Sequence, residues 1–239
     1  MSFGDKNFTY GPRIVKDGLV FYVDAANPKS YVSGDTTCTD LVGGNVGSLQ
    51  NGVGFSVENN GTWSFDGSDD YINITSALST QPVYHLSVWF TRTSGINTSY
   101  TSNDRYLLGW GGSGNLTGIS FGDFTGAADD ETIFLYQDSQ GLDNFTYIKD
   151  TADSDFHNLV INWDGSQYDI YLDGTSRTTY IGNVGHLAQF NLNHIYLGRS
   201  NNNAYHHTGN ISNVQLYSRT LSQDEITQNY NALKGRFGL

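Results

Sequence analysis

Around an Asp164-Gly165 pair the chain alternates apolar and polar residues on both sides, and no other feature narrows the fold so far. Leu159, Ile161 and Trp163 share one face of the run before the pair, and Tyr168, Ile170 and Leu172 share one face of the run after it. Asp-Gly between two runs of period two is the chemistry of a β-hairpin turn. A slip of one residue would expose all these apolar side chains, so the register is well specified. Asp173-Gly174 then turns the chain again.

The same grammar recurs along the chain. Strands are expected over 18–24, 63–65, 71–74, 85–91, 106–110, 132–137, 194–199 and 209–218, with weaker signals near 48–49, 55–57 and 119–121. Asn27-Pro28 stops the first strand, and Asp66-Gly67-Ser68-Asp69-Asp70 is a turn between two others. Ile211, Val214 and Leu216 break strict alternation, which predicts a bulge near Ser212-Asn213. One helix is expected. Ser222-Gln223-Asp224-Glu225 is a capping box, Ile226, Tyr230 and Leu233 form one apolar stripe, and Gly235 suits the position just past the helix end. Acidic residues are mostly Asp, with Glu only at 58, 131 and 225, which favours turns over helices. The expected fold is all-β: an antiparallel jelly-roll β-sandwich with one short C-terminal helix. Its 239 residues suit one domain over 17–239, preceded by an extended polar arm over 1–16.

Several classes of function are disfavoured. A net charge of −12 repels phosphate, so nucleic acid is not an expected partner. Cys38 is the single cysteine, which excludes an internal disulfide and a thiolate metal cage. Neither a signal-peptide core nor a membrane-spanning apolar run is present, so synthesis in a cytoplasm without membrane insertion is expected. Gly109-Trp110-Gly111-Gly112-Ser113-Gly114 fits a dinucleotide pattern, but the residues after it do not read as a helix. Asp129-Asp130-Glu131 is the densest acidic run, yet neighbouring strand residues point to opposite faces. A glycosidase needs two carboxylates flanking one bond, and no strand presents such a pair, so the chain is not expected to be an enzyme.

Gly18–Asp24, Ser64–Ile72, Leu86–Phe90, Phe156–Gly165, Tyr171–Gly174, Ile195–Arg199 and Gly209–Ile226 together resemble the laminin G-like, concanavalin A-like lectin/glucanase superfamily. The segments lie in that family's order across residues 18–230. Gly11–Gly18, Asp24–Tyr31 and Asn229–Phe237 are similar to stand-alone members encoded by tailed bacteriophages. This resemblance implies a virion component, made in the host cytoplasm, serving as capsid decoration or tail fibre. Its partners would be other virion proteins through the N-terminal arm, and oligomers are compatible with such a role. The Glu-x-Asp-x-x-Glu element of laminarinase-type relatives is missing.

Two candidate sites follow. The stretch Asn201–Thr208 is rich in hydrogen-bonding groups and carries one aromatic ring, a mixture that suits sugar recognition. Its candidate contacts are Asn202, Asn203, Tyr205, His206 and His207, with an ordinary loop as the other reading. Hard oxygens suit calcium, the expected cofactor, and Asp66 and Asp70 with Asp24 or Asn213 are the candidate ligands. Family members often carry one calcium, many with Asp where Asn213 stands, and plain turn aspartates are the other reading. The expected function is lectin-like adhesion to a carbohydrate or host surface. The alternatives are a purely structural decoration protein and an unusual glycoside hydrolase.

Overall fold

The computed structural model describes residues 12–75, 78, 83–92, 105–111, 117–121, 132–139, 142–149, 153–177, 180–181, 192–203 and 205–239. The first strands are β1 (Leu19–Asp24), β2 (Thr37–Thr39), β3 (Val46–Gln50), β4 (Gly54–Ser56), β5 (Thr62–Asp66) and β6 (Tyr71–Thr75). Then come β7 (His85–Arg92), β8 (Arg105–Trp110), β9 (Thr117–Phe121), β10 (Thr132–Ser139) and β11 (Leu142–Lys149). The last are β12 (His157–Trp163), β13 (Tyr168–Leu172), β14 (Thr175–Ser176), β15 (Tyr180–Ile181), β16 (His194–Leu197) and β17 (Thr208–Tyr217). Helix α1 (Gln223–Leu233) follows them.

These strands pair antiparallel into two sheets. One runs β14-β13-β12-β7-β17-β5-β4 with β1 also on β17, and the other runs β15-β11-β10-β9-β8-β16-β6-β3-β2. The first half of β17 pairs with β5 and the second half with β1, while β7 lies along its other side. The predicted bulge sits between Ile211 and Asn213 on that side. Phe21, Trp63, Ile72, Phe90, Leu107 and Phe121 are among the fully buried side chains between the sheets. Cys38 is buried there too.

The hairpin forms in the expected register, with Leu159, Ile161 and Trp163 facing Leu172, Ile170 and Tyr168. Asp164 closes the turn by accepting from the amides of Ser166 at 2.7 Å and Gln167 at 2.8 Å. Gly165 supplies the φ of 102° that the turn requires.

Along its central strand the outer face of the eight-stranded sheet is covered, where alternation alone would suggest a solvated face. All eight residues of β7 are buried. Trp89, pointing away from the core, stacks on Tyr230 at 5.5 Å and on Phe237 at 4.5 Å. Gly235 does not end the helix with a left-handed turn. Lys234 is the cap, and Lys234–Arg236 continues as a 3-10 turn that carries Phe237 back over the sheet. The burial of Phe237 against Trp89 and Phe156 outweighs the local glycine signal.

Residues 12–16, read from sequence as part of an arm, are docked on the domain. Val15 is buried, its amide donates to Asn229 Oδ1 at 2.7 Å, and its carbonyl accepts from Tyr217 Oη at 2.9 Å.

The capping box is complete: the Glu225 amide donates to Ser222 Oγ at 3.3 Å, and the Ser222 amide donates to Glu225 Oε2 at 3.0 Å. Arg219 grips the same carboxylate with two bonds of 2.9 and 2.6 Å. Those Arg219 bonds, and behind them the Ser222 amide, lower the Glu225 pKa to about 2. Glu225→Gln is expected to cost about 1 kcal/mol at pH 7, from the lost cap and ion pair together. A depressed carboxylate pKa stabilises above its unfolded value and is lost as pH falls through the folded one. The gap between wild type and variant in thermal unfolding should therefore close between pH 4.5 and about 2.

Candidate functional site

At one end of the sandwich the turn between β5 and β6 meets the segment between β16 and β17. The pairing of Thr208 with Asp66 brings these two segments together across a sequence gap of more than a hundred residues. The turn is internally braced. Ser68 donates its amide to Asp66 Oδ1 at 2.7 Å, and Asp66 donates its own amide to Asp70 Oδ2 at 3.1 Å. Asp66 and Asp69 are exposed, whereas Asp70 is buried. One carboxylate oxygen from each lies within 4.8 Å of the others. Burial raises the Asp70 pKa, and the charges of Asp66 and Asp69 push the same way against the Asp66 amide.

The facing segment starts at Gly198, whose φ is 86° and where any side chain would run into the Phe65 ring. Arg199 lies between two tyrosines, its guanidinium carbon 3.9 Å from the Tyr71 ring centre and 4.2 Å from that of Tyr196. Its Nη1 donates to Asn203 Oδ1. Ser200 Oγ donates to Asn202 Oδ1 at 2.6 Å. Asn203 and Tyr205 adopt left-handed backbone, with φ of 64° and 60°, so this stretch is tightly built. The Tyr205 ring lies 6.0 Å from that of Tyr106.

The adjacent histidines part company. His206 is half-buried and feels Asp66 and Asp69; burial first, then Arg199, lowers its pKa, while the two carboxylates pull it up. His207 is fully buried. Its Nε2 is 2.9 Å from the Thr91 carbonyl and its ring packs near Phe65 and Phe121. His207 therefore belongs to the core, and the candidate sugar contacts at this surface reduce to Asn202, Asn203, Tyr205 and His206. Both lie just before β17, where the bridge of His206 to Tyr106 keeps the chain extended and neighbouring side chains point to opposite sides.

The four candidate calcium ligands do not converge. Asp24 and Asn213 are register partners between β1 and β17, five residues along β17 from Thr208. At about 3.4 Å per strand residue that is roughly 17 Å from the Asp66 turn. Asp24 already has a cation. Arg236 Nη1 lies 3.1 Å from Asp24 Oδ1, and Arg236 Nη2 donates to Ser212 Oγ at 2.8 Å and to the Gly61 carbonyl at 3.3 Å. Asn213 is fully buried, and among the described residues its Oδ1 has no hydrogen-bond partner. Asp66, Asp69 and Asp70 do suit a hard cation: their oxygens are close enough to share one, and it would offset both the burial that chiefly raises the Asp70 pKa and the lesser push from Asp66 and Asp69.

Sequence reasoning passed over Asp69 as a ligand and missed Arg199, Tyr71 and Tyr196, because only strand pairing brings them together. Residues 112–114 of the Gly-rich pattern and residues 129–131 of the acidic run lie outside the described residues.

Comparison with solved structures returns the same architecture from several sources. The receptor-binding domain of botulinum neurotoxin type G aligns with a TM-score of 0.66 at 13% identity, over 90% of this chain and 51% of that one. A Trypanosoma rangeli sialidase in complex with sialic acid aligns with a TM-score of 0.64 at 16% identity, over 94% of this chain and 34% of that one. Domain 4 of an extracellular arabinanase from Geobacillus stearothermophilus, in complex with arabinotriose, aligns with a TM-score of 0.63 at 13% identity, over 90% of this chain and 100% of that one. The chain thus spans about half of the toxin domain and a third of the sialidase chain, and these likenesses establish the fold alone. No curated protein shows a significant sequence match. A family model does match, over residues 66–227, from the acidic turn to the terminal helix. With the two antiparallel sheets, that match makes this chain a member of the concanavalin A-like lectin/glucanases superfamily.

Proposed function

We propose that the chain is a virion display protein whose sandwich recognises a carbohydrate reversibly, without bond chemistry. The observation that carries the recognition is the rim built by the Asp66–Asp70 turn and the Arg199–His206 segment. There exposed amides, an imidazole, an aromatic ring and three carboxylates stand together. Planar amides match sugar hydroxyls, and a ring matches the apolar face of a pyranose or furanose. Calcium at Asp66, Asp69 and Asp70 would keep open positions for hydroxyl oxygens. The arabinanase domain, aligned over its whole length, was solved with arabinotriose, which supports a sugar as ligand. The virion setting rests on the resemblance of the two ends to phage-encoded members. Residues 1–11 would be the attachment to other virion proteins, since 12–16 are occupied by the domain itself.

The carboxylates argue against hydrolysis. All three come from one turn, with oxygens within 4.8 Å of one another, whereas the titratable group of the facing segment that feels them is His206. A glycosidase needs its two carboxylates on either side of the bond.

A glycan array on the folded protein, run with calcium and again with chelator, tests the reading. Binding to a defined sugar class is expected, lost with chelator and with Asp69→Asn, and weakened up to about tenfold by Tyr205→Ala. A blank array under both conditions would leave a purely structural decoration protein. Release of free sugar from a bound glycan would mean a glycosidase.

A further inference from the structure

A second cleft lies on the edge where the two sheets part, with a volume of about 380 Å³. Its position follows from the topology. The chain leaves β3 in one sheet, crosses at residues 51–53 and enters β4 in the other, and β2 and β4 are the outermost strands on that side. The 31–36 loop closes the gap, held to β3 by the Leu49 amide on the Thr36 carbonyl at 2.8 Å.

The interior of the cleft is apolar and closely packed against the core. Tyr31 is buried, meets Phe55 ring to ring at 5.3 Å, and stands edge-on to the core residue Trp63 at 5.7 Å. Phe55, Leu49 and Val53 are half-buried and present apolar surface to the opening. The mouth is polar. Ser33, Asp35 and Thr36 are exposed, and among the described residues no protein group bonds to their side chains. The contrast with Asp40 is instructive. Asp40 accepts from the amides of Tyr22, Val42 and Gly43 and from Asn45 Nδ2, and so braces its own turn. The polar groups at the cleft mouth do no such internal task.

We propose that this cleft is a binding site for one or two rings of a neutral sugar, independent of metal. It rests on the reading of the sandwich as a carbohydrate binder and adds a separate site with its own selectivity. The volume falls at the small end of ligand pockets. The apolar floor fits the C–H face of a sugar ring, and two hydroxyls and a carboxylate fit its hydroxyl edge. Asp35 and the net charge of −12 select against uronic and sialic acids, and among the described residues no basic side chain lines the cleft to offset them. The cleft stands back to back with the acidic rim across a shared turn, where Asn51 Nδ2 donates to the Asp69 carbonyl at 2.9 Å. The three rim carboxylates do not line it, so chelator should leave it unchanged.

The test is titration of the full chain with maltotriose, cellotriose and arabinotriose, and with sialyllactose as the acidic control, in chelator. Amide resonances of Gly34 and Gly52 report occupancy. A neutral trisaccharide is expected to shift both resonances saturably, and sialyllactose is expected to shift neither. Ser33→Trp, which fills the mouth from an exposed position, should weaken that binding at least tenfold, and Asp35→Ala several-fold. Sugar binding that survives Ser33→Trp but is lost in Asp69→Asn would overturn the cleft assignment and leave the rim reading standing. Equal response to sialyllactose would overturn the charge selection. A folded wild-type protein that binds no sugar with or without calcium would sink both readings.

Discussion

Arg236→Ala is expected to lower folding stability by about 3 kcal/mol, a large share of the 5–15 kcal/mol of a typical domain. The side chains of Arg236 and Asp24 are only 14% and 9% exposed, so solvent screens the pair little. The guanidinium also donates to Ser212 Oγ and the Gly61 carbonyl, tying the C-terminal segment to β17 and to the chain leading into β5. Removing it leaves the Asp24 carboxylate buried with, among the described residues, only Tyr22 Oη, at 2.7 Å, and the Ala26 amide, at 2.9 Å, as donors. The cost is that of an uncompensated charge more than that of a lost attraction. The Asp24→Asn/Arg236→Met double variant, which removes both charges, should lose clearly less than the sum of its single variants. Denaturant unfolding of all four proteins reads this. An Arg236→Ala loss below about 1 kcal/mol would show that water reaches Asp24 and that the pair behaves as a surface ion pair.

Acid should weaken the fold through His85 before it reaches the carboxylates. His85 is fully buried, its Nδ1 lies 2.6 Å from Asn162 Oδ1, and its ring stands perpendicular to Tyr217 at 5.0 Å. Asn162 donates its own amide to the Leu221 carbonyl at 2.9 Å, so its oxygen is the acceptor and His85 carries its proton on Nδ1. Among the described residues Nε2 has no hydrogen-bond partner, and none of them offers an acceptor for a second proton there. Burial lowers the pKa from 6.5 to about 4, aided by Arg219 and opposed by the Asn162 bond and by Glu225. Between those two values the unfolded chain takes up a proton that the folded one refuses. Stability is therefore fully present above pH 6.5 and falls as pH drops toward 4, by about 3 kcal/mol in total. His206, also shifted down, adds to the slope, so the informative comparison is wild type against His85→Gln. The variant should show a visibly flatter stability profile from pH 6.5 to 4, and parallel profiles would refute the assignment to His85.

How much could be read in advance depended on the range of the interaction. The Asp164 hairpin, the bulge after Ile211 and the Ser222 capping box are written in residues a few positions apart, and all three formed as their patterns require. Strand β11 was not foreseen, because its apolar residues are split between the two faces, Leu142 and Ile148 on one and Phe145 and Tyr147 on the other, each mixed with polar residues. Its strand state comes from a ladder with β10 along its whole length. The docked residues 12–16 and the return of Phe237 over Trp89 were equally hidden, since each depends on a partner far away in sequence.

The candidate sites divide the same way. Sequence picked out the 201–208 stretch and the 66–70 turn by composition, but as two unconnected features. The pairing of Thr208 with Asp66 made them one rim, and the chain entering that strand left His206 half-buried at the rim and sent His207 into the core. The tertiary structure also put Arg236, from the far end of the chain, on the carboxylate that sequence had offered to calcium. The edge cleft had no signal at all, because its floor and mouth come from two segments that each read as weak strand and turn. Period, turn chemistry and capping are local, so the sequence by itself determined the sandwich, its hairpins and its one helix. The neighbours of a charged side chain are set by long-range register and by which strands pair, and only the folded chain decides those.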